Sequence, residues 1–292
     1  MKRILTALAI CAVVFGAQAQ EGMLINPDAK SLGMGGVVMT TLSSSHDIYT
    51  NAAASIFARK QLQLSGSYYS QSDYNYYVAS GYYNIDGSNL IQAGWRQFRR
   101  EAKNNEMTVD VGYSRRVNDR WAIGLVARYL HLRNHEQKAD ALSVDLSAMY
   151  VLPFENWEHY TTLRAGAKLG NLGGYLNNSK YKLPMDLTAG VALDSFISDA
   201  HQITLGVDAG YYFNPSKMRG FQASVGAEYN LMQLVQVRAG YHVGENQRFY
   251  PNYASVGAGV RFMHLRLDFA YLFAKKSTYL HNTYSLSFGF DF

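Results

Sequence analysis

Ser285-Leu286-Ser287-Phe288-Gly289-Phe290-Asp291-Phe292 sets a large apolar side chain at every second position, with small or polar residues between. A strict period of two is a β-strand with one apolar and one polar face. In a soluble sandwich such a terminal strand leaves an apolar edge exposed. A membrane barrel has no free edge, and lipid covers its apolar face. The stretch is therefore read as a barrel strand whose Phe288, Phe290 and Phe292 meet lipid and engage the barrel-assembly machinery.

The same rhythm runs back to about Lys60. It predicts about fourteen strands, near 60–70, 74–84, 89–99, 106–117, 120–132, 140–152, 160–170, 185–194, 201–213, 220–230, 233–243, 252–262, 264–273 and 282–292. Most are about ten to thirteen residues, the length of a tilted membrane strand rather than of a soluble one. An even count suits a single-chain bacterial barrel. The expected fold is all-β, a transmembrane antiparallel barrel spanning residues 59–292. Rows such as Val109, Val111, Tyr113 and Leu265, Leu267, Phe269, Phe273 form the lipid face, many ending in an aromatic girdle residue. The first three strands alternate poorly. Asn118-Asp119, Leu231-Met232 and Phe262-Met263 read as tight turns on one rim. Longer connections at 99–106, 133–139, 171–184, 213–219, 244–251 and 274–281 fall on the other, and 153–159 and 194–200 break the pattern.

Opposite the lipid rows lie charges of both signs. Asp110, Asp145, Asp186, Asp208, Glu228, Asp268 and Asp291 face Arg116, Arg128, Arg164, Lys168, Arg238, Arg261 and Arg266. Balanced charge fits a paired interior network better than a selective ion pore. Inward glycines, among them Gly112, Gly166, Gly190, Gly206, Gly226 and Gly257, leave room for something inside. The long connections lean basic, with Arg99, Arg100, Lys103, Arg133, Lys138, Lys180, Lys182, Lys217, Arg219, Lys275 and Lys276, a solvated rim or a contact for an anionic glycolipid or acidic partner.

Residues 1–19 resemble a secretory leader: Lys2 and Arg3, an apolar run from Ile4 to Phe15, and Ala17-Gln18-Ala19 for cleavage before Gln20. Cys11, the only cysteine, leaves with it, so no mature disulfide, zinc-thiolate site or cysteine nucleophile is expected. Of 27 basic residues the leader takes two, leaving 25 against 22 acidic, a formal +3 that gives no argument for nucleic acid.

No set of residues assembles a catalytic, metal or cofactor site. Ser45-His46-Asp47 holds triad residue types, but adjacency does not make triad geometry. His131 and His135 flank a loop with no carboxylate or third ligand at metal-binding spacing. Gly33-Met34-Gly35-Gly36 lacks the preceding strand and third glycine of a phosphate loop.

Residues 20–58 differ from the rest, being rich in glycine and serine with a short helical piece near Ala52 to Phe57. Asp28-Ala29-Lys30-Ser31-Leu32-Gly33-Met34-Gly35-Gly36-Val37, with Asp47 and Asn51-Ala52-Ala53-Ala54 after it, resembles the N-terminal signature of the PorV/PorQ family of outer-membrane proteins, itself related to FadL-type barrels. Lys30 stands for the family's Arg, Val37 for its Ala, and the Pro of its Asn-Pro-Ala step is missing. The resemblance implies a fourteen-stranded barrel with 20–58 folded inward as a plug. For one branch it implies non-enzymatic binding of secreted cargo or type IX secretion subunits. For the other it implies a path for hydrophobic molecules, with Met34, Val38, Leu42 and Phe57 as expected contacts.

Overall fold

Alternation of apolar and polar residues builds a closed antiparallel barrel. The computed structural model describes residues 23–292 except 43–44, 59, 72–73, 101–103, 135–136, 155–159 and 178–180. The leader assigned to 1–19, with Cys11, lies outside the described residues, as do His135, Lys103 and Lys180. The strands are β1 (Leu62–Gln71), β2 (Tyr74–Asn84), β3 (Asn89–Arg100), β4 (Asn104–Arg116), β5 (Trp121–Asn134), β6 (Gln137–Phe154), β7 (Thr161–Tyr175), β8 (Met185–Ser198), β9 (His201–Asn214), β10 (Gly220–Leu231), β11 (Val235–Gly244), β12 (Tyr253–Phe262), β13 (Leu265–Ala274) and β14 (Thr283–Asp291). Each pairs with its neighbours in sequence, and β1 closes the ring on β14, with Gln63 opposite Asp291 and Ser67 opposite Ser287. Among the described residues no helix is long and apolar enough to cross a membrane; the strands do it.

Several strands run further than the alternation predicts. β3 to β6 extend until the connections expected to be long near 99–106 and 133–139 shrink, and β8 continues to Ser198, so the irregular 194–200 connection is the tight turn Asp199-Ala200. The rim carrying 176–184, 215–219, 245–252 and 275–282 still holds the longest loops, which in outer-membrane barrels face outside. Val111, Val207, Leu267 and Phe288 are exposed on the outer wall, while Asp110, Asp208, Asp268 and Ser287 are buried within.

The described residues between 23 and 58 pack inside the barrel wall. They contain helix α1 (Ala29–Gly33) and two 3-10 helices, Ser45–Tyr49 and Ala52–Ala58. Asp28 caps α1, its carboxylate accepting from Ser31 N at 3.1 Å and Ser31 Oγ at 2.8 Å. The helix ends as a Schellman motif: Gly36 N donates to Ser31 O at 2.9 Å and Gly35 N to Leu32 O at 3.1 Å. Gly35 and Gly36 take φ of 71° and 87°, left-handed conformations that favour glycine. The Gly-Gly of the signature is thus the stop of α1.

Candidate functional site

The lumen segment docks against a wall that is cut away to receive it. An added Cβ at Gly33 falls 3.0 Å from Gly257 Cα, and one at Gly35 falls 2.5 Å from Tyr241 N. The facing Gly226 and Gly240 meet the backbone of Met34 and Gly35, and Gly166 meets Met39. Gly206 takes the side chain of Val37. The other two inward glycines of the sequence reading serve differently: Gly190 seats the Asp208 carboxylate, and Gly112 touches Ile48.

Polar groups fix the segment. Ala29 N donates to Ser287 Oγ at 3.0 Å and Gly35 N to Ser255 Oγ at 2.9 Å. Asp208 makes no ion pair among the described residues. Its Oδ2 accepts from Val38 N at 2.6 Å and Met39 N at 2.9 Å. Asn51 ties the segment to itself and to the wall, donating to Met39 O at 2.7 Å and Ala148 O at 3.2 Å. Asp47 is buried, and its carbonyl accepts from Thr50 N at 3.0 Å.

Among the described residues the lumen charges form two larger groups and two separate pairs, one of them Lys168 with Asp186 at 3.8 Å. In one group, Arg128 bridges Asp110 and Asp145, with Asp145 at 3.0 Å, and donates to Asn171 Oδ1 at 2.6 Å where a register shift interrupts the β6–β7 ladder. In the other, Arg238 contacts Glu228 at 2.5 Å and Asp268 at 2.6 Å, and Arg266 reaches Asp268 at 3.5 Å. Lys30 of α1 joins this second group through Glu228 at 3.3 Å. Arg164 pairs with Asp194 at 3.2 Å. Arg261 stands opposite Arg266 in the β12–β13 register and makes no ion pair among the described residues. Sequence reasoning missed Lys30, Arg96 and Asp194 as network members. Lys30 precedes the strands, and Arg96 sits in the poorly alternating β3, its guanidinium 4.5 Å from the Tyr49 ring centroid.

Of the residues assigned to an apolar ligand, the structure brings Leu42 and Phe57 together against Ala53, Ile56 and Tyr82. Met34 lies elsewhere, buried against β10 and β11. Val38 alone of the four borders a cavity of about 150 Å³ between the lumen segment and the long loops. Tyr69, Tyr253 and Leu272 line it on one side, and Lys168, Asp186 and Asp208 on the other. Ser45, His46 and Asp47 form no triad: the two ring nitrogens of His46 hydrogen-bond wall hydroxyls, Nδ1 with Ser80 at 2.7 Å and Nε2 with Ser67 at 2.6 Å. His131 does have a carboxylate, Asp140 directly across the β5–β6 ladder at 2.7 Å, invisible at nine residues' separation until the hairpin closes. Among the described residues no group of three or more His, Cys, Asp or Glu could hold a metal.

A family model described as type IX secretion system protein PorV matches residues 15–219. No curated protein sequence matches the chain. Among solved structures, the CymD monoaromatic hydrocarbon channel aligns with TM-score 0.61 at 14% identity, over 92% of this chain and 98% of that one. The Pseudomonas putida toluene transporter TodX aligns at 0.60 and 14%, over 90% and 97%. A Pseudomonas aeruginosa FadL homologue aligns at 0.55 and 12%, over 91% and 98%. At these identities the likeness shows a shared fourteen-stranded architecture and nothing of what passes through it.

Proposed function

The chain belongs to the family of the type IX secretion system protein PorV, and from that premise we propose that it is a non-enzymatic outer-membrane component of protein secretion, binding exported cargo or other secretion subunits. In this reading residues 1–19 direct export, 20–58 are a plug, and 59–292 are the barrel, inserted among outer-membrane lipids by the barrel-assembly machinery. The observation that carries the reading is the family match, which spans the lumen segment and most of the wall. The docking of that segment supports it. A lumen held by Lys30–Glu228, by Asp208 and by a wall shaped to the segment's backbone suits a scaffold better than an open pore. The test compares a deletion strain with its parent by proteomics of medium and outer membrane. Loss of a set of exported proteins, with precursors held in the periplasm, is expected; an unchanged secreted set overturns the reading.

One observation favours a second reading, uptake of small hydrophobic molecules. The cavity of about 150 Å³ has the volume of engineered apolar cavities that admit benzene. Its Lys168, Asp186 and Asp208 make it amphipathic, so a ring bearing a polar group fits better than a plain hydrocarbon. Calorimetric titration of the purified barrel with p-cresol and with toluene tests this. Binding of neither removes it.

A further inference from the structure

Three neighbouring connections on the long-loop rim, 215–219, 245–252 and 275–282, pack into one cap. Asn246 Nδ2 donates to Lys217 O at 3.0 Å, Tyr250 Oη to Met218 O at 3.0 Å, and Tyr279 Oη to Phe249 O at 2.8 Å. Stacking of Tyr250 on Tyr212, with ring centroids 4.5 Å apart, fastens the cap to β9.

This cap presents positive charge. Lys217, Arg219, Arg248, Lys275 and Lys276 are all exposed. The single carboxylate in the three connections, Glu245, accepts from Phe221 N at 2.9 Å. Partial burial, and to a lesser extent the charge of Arg248, hold the Lys217 ammonium below its ordinary pKa.

Two of the cations continue lipid-facing rows. Arg219 precedes the exposed Phe221 by two residues, and its φ of −59° and ψ of 136° keep the backbone extended. Lys275 follows the exposed Phe273 by two. With a period of two, each belongs to the outer wall just past its apolar band. That is the level at which headgroup phosphates lie, and long cationic side chains reach them while their stems stay on apolar surface.

We propose that the cap is a seat for a phosphorylated anionic lipid of the outer leaflet, gripped at the wall by Arg219 and Lys275 with Lys276 and Arg248 adding charge from the same cap. Guanidinium and ammonium groups on neighbouring loops suit a phosphate-bearing headgroup, with arginine able to bind it in bidentate fashion. An acidic protein segment would use cations turned to the barrel mouth; the lipid-side alternation of Arg219 and Lys275 favours lipid.

The purified full-length mature barrel in neutral detergent is titrated with diphosphoryl lipid A, the same lipid without phosphates, inorganic phosphate and a polyglutamate peptide, with native mass spectrometry as readout. Diphosphoryl lipid A is expected to bind one to one. R219Q/K275Q/K276Q should weaken it at least about tenfold, a modest share of what three juxtamembrane cations supply. R219K/K275R/K276R should retain it. Heat-modifiable electrophoretic migration confirms that each variant is folded; should the triple variant misfold, R219Q and K276Q are measured singly, and each should lose part of the binding. The proposal is overturned by undiminished binding in folded Gln variants or by equal binding of the phosphate-free lipid. It is also overturned if inorganic phosphate binds as tightly as lipid A, the mark of a free-anion site. Binding of polyglutamate without lipid A overturns it in favour of a protein partner.

Discussion

Arg238 joins Glu228 and Asp268, and through Glu228 it holds Lys30, so one guanidinium connects the wall to the lumen segment. All three wall residues are buried. Removing one member of such a group leaves buried charge without compensation, at a cost of about 3–5 kcal/mol. Arg238→Met should lower the unfolding free energy of the detergent-solubilised barrel, measured by urea titration, by an amount of that order, and Lys30→Met by clearly less, because Glu228 keeps Arg238. Equal effects would show that α1 and not the wall anchors the network. A different change separates packing from charge. Gly226→Val puts a side chain into the backbone of Met34. The barrel should still migrate as folded while the segment ahead of β1 becomes a site of limited proteolysis; an uncut segment would mean that the close approach is dispensable. Residue type at these positions was legible, since alternation alone places Arg238 and Gly226 inward. Their partners were not. Lys30 lies 198 positions from Glu228, and only ring closure brings them together.

At the scale of elements, all fourteen strands could be read from the sequence, and β1 to β3 fall within about two residues of the spans expected although their alternation is the poorest. The reason is visible in what they face. Inward Tyr69, Tyr76, Val78 and Phe98 pack with Ile25, Leu32 and Tyr49, and Tyr82 and Leu90 with Ala53 and Ile56. Lipid on one side and an apolar lumen segment on the other make both faces of these strands apolar, and the binary signal fades. The tight turn read at Leu231-Met232 is present but sits one residue further on. The β10–β11 turn is made by Met232 and Gln233, both at positive φ, without the Asn-Gly that marks such turns. The lipid face itself makes a firm prediction. Val111 lies near the middle of β4, 62% exposed on the outer wall. Val111→Arg should destabilise the folded barrel in lipid by about 2–4 kcal/mol, measured by urea unfolding in vesicles. A neutral result would place that position outside the hydrocarbon layer.

For the whole molecule, the proposed plug role of the lumen segment is open to a direct electrical test. Deleting residues 23–44 should raise conductance in planar bilayers well above that of the intact chain, with a heat-modifiable band showing that the wall still closes; equal conductance would mean that the segment does not seal the lumen. Its path carries a further consequence. Between Ala29 and Asn51 it touches β14, β12, β11, β10, β9, β7 and β6, well over half of the way round a ring whose every member is synthesised after it. A finished ring offers such a thread no way in from the side. The seam between Gln63 and Asp291 joins the first strand to the last and so waits for the end of the chain. Ala29 bonds Ser287, a residue of the last strand to arrive. The segment thus reaches its full set of wall contacts only with the last strand of the chain.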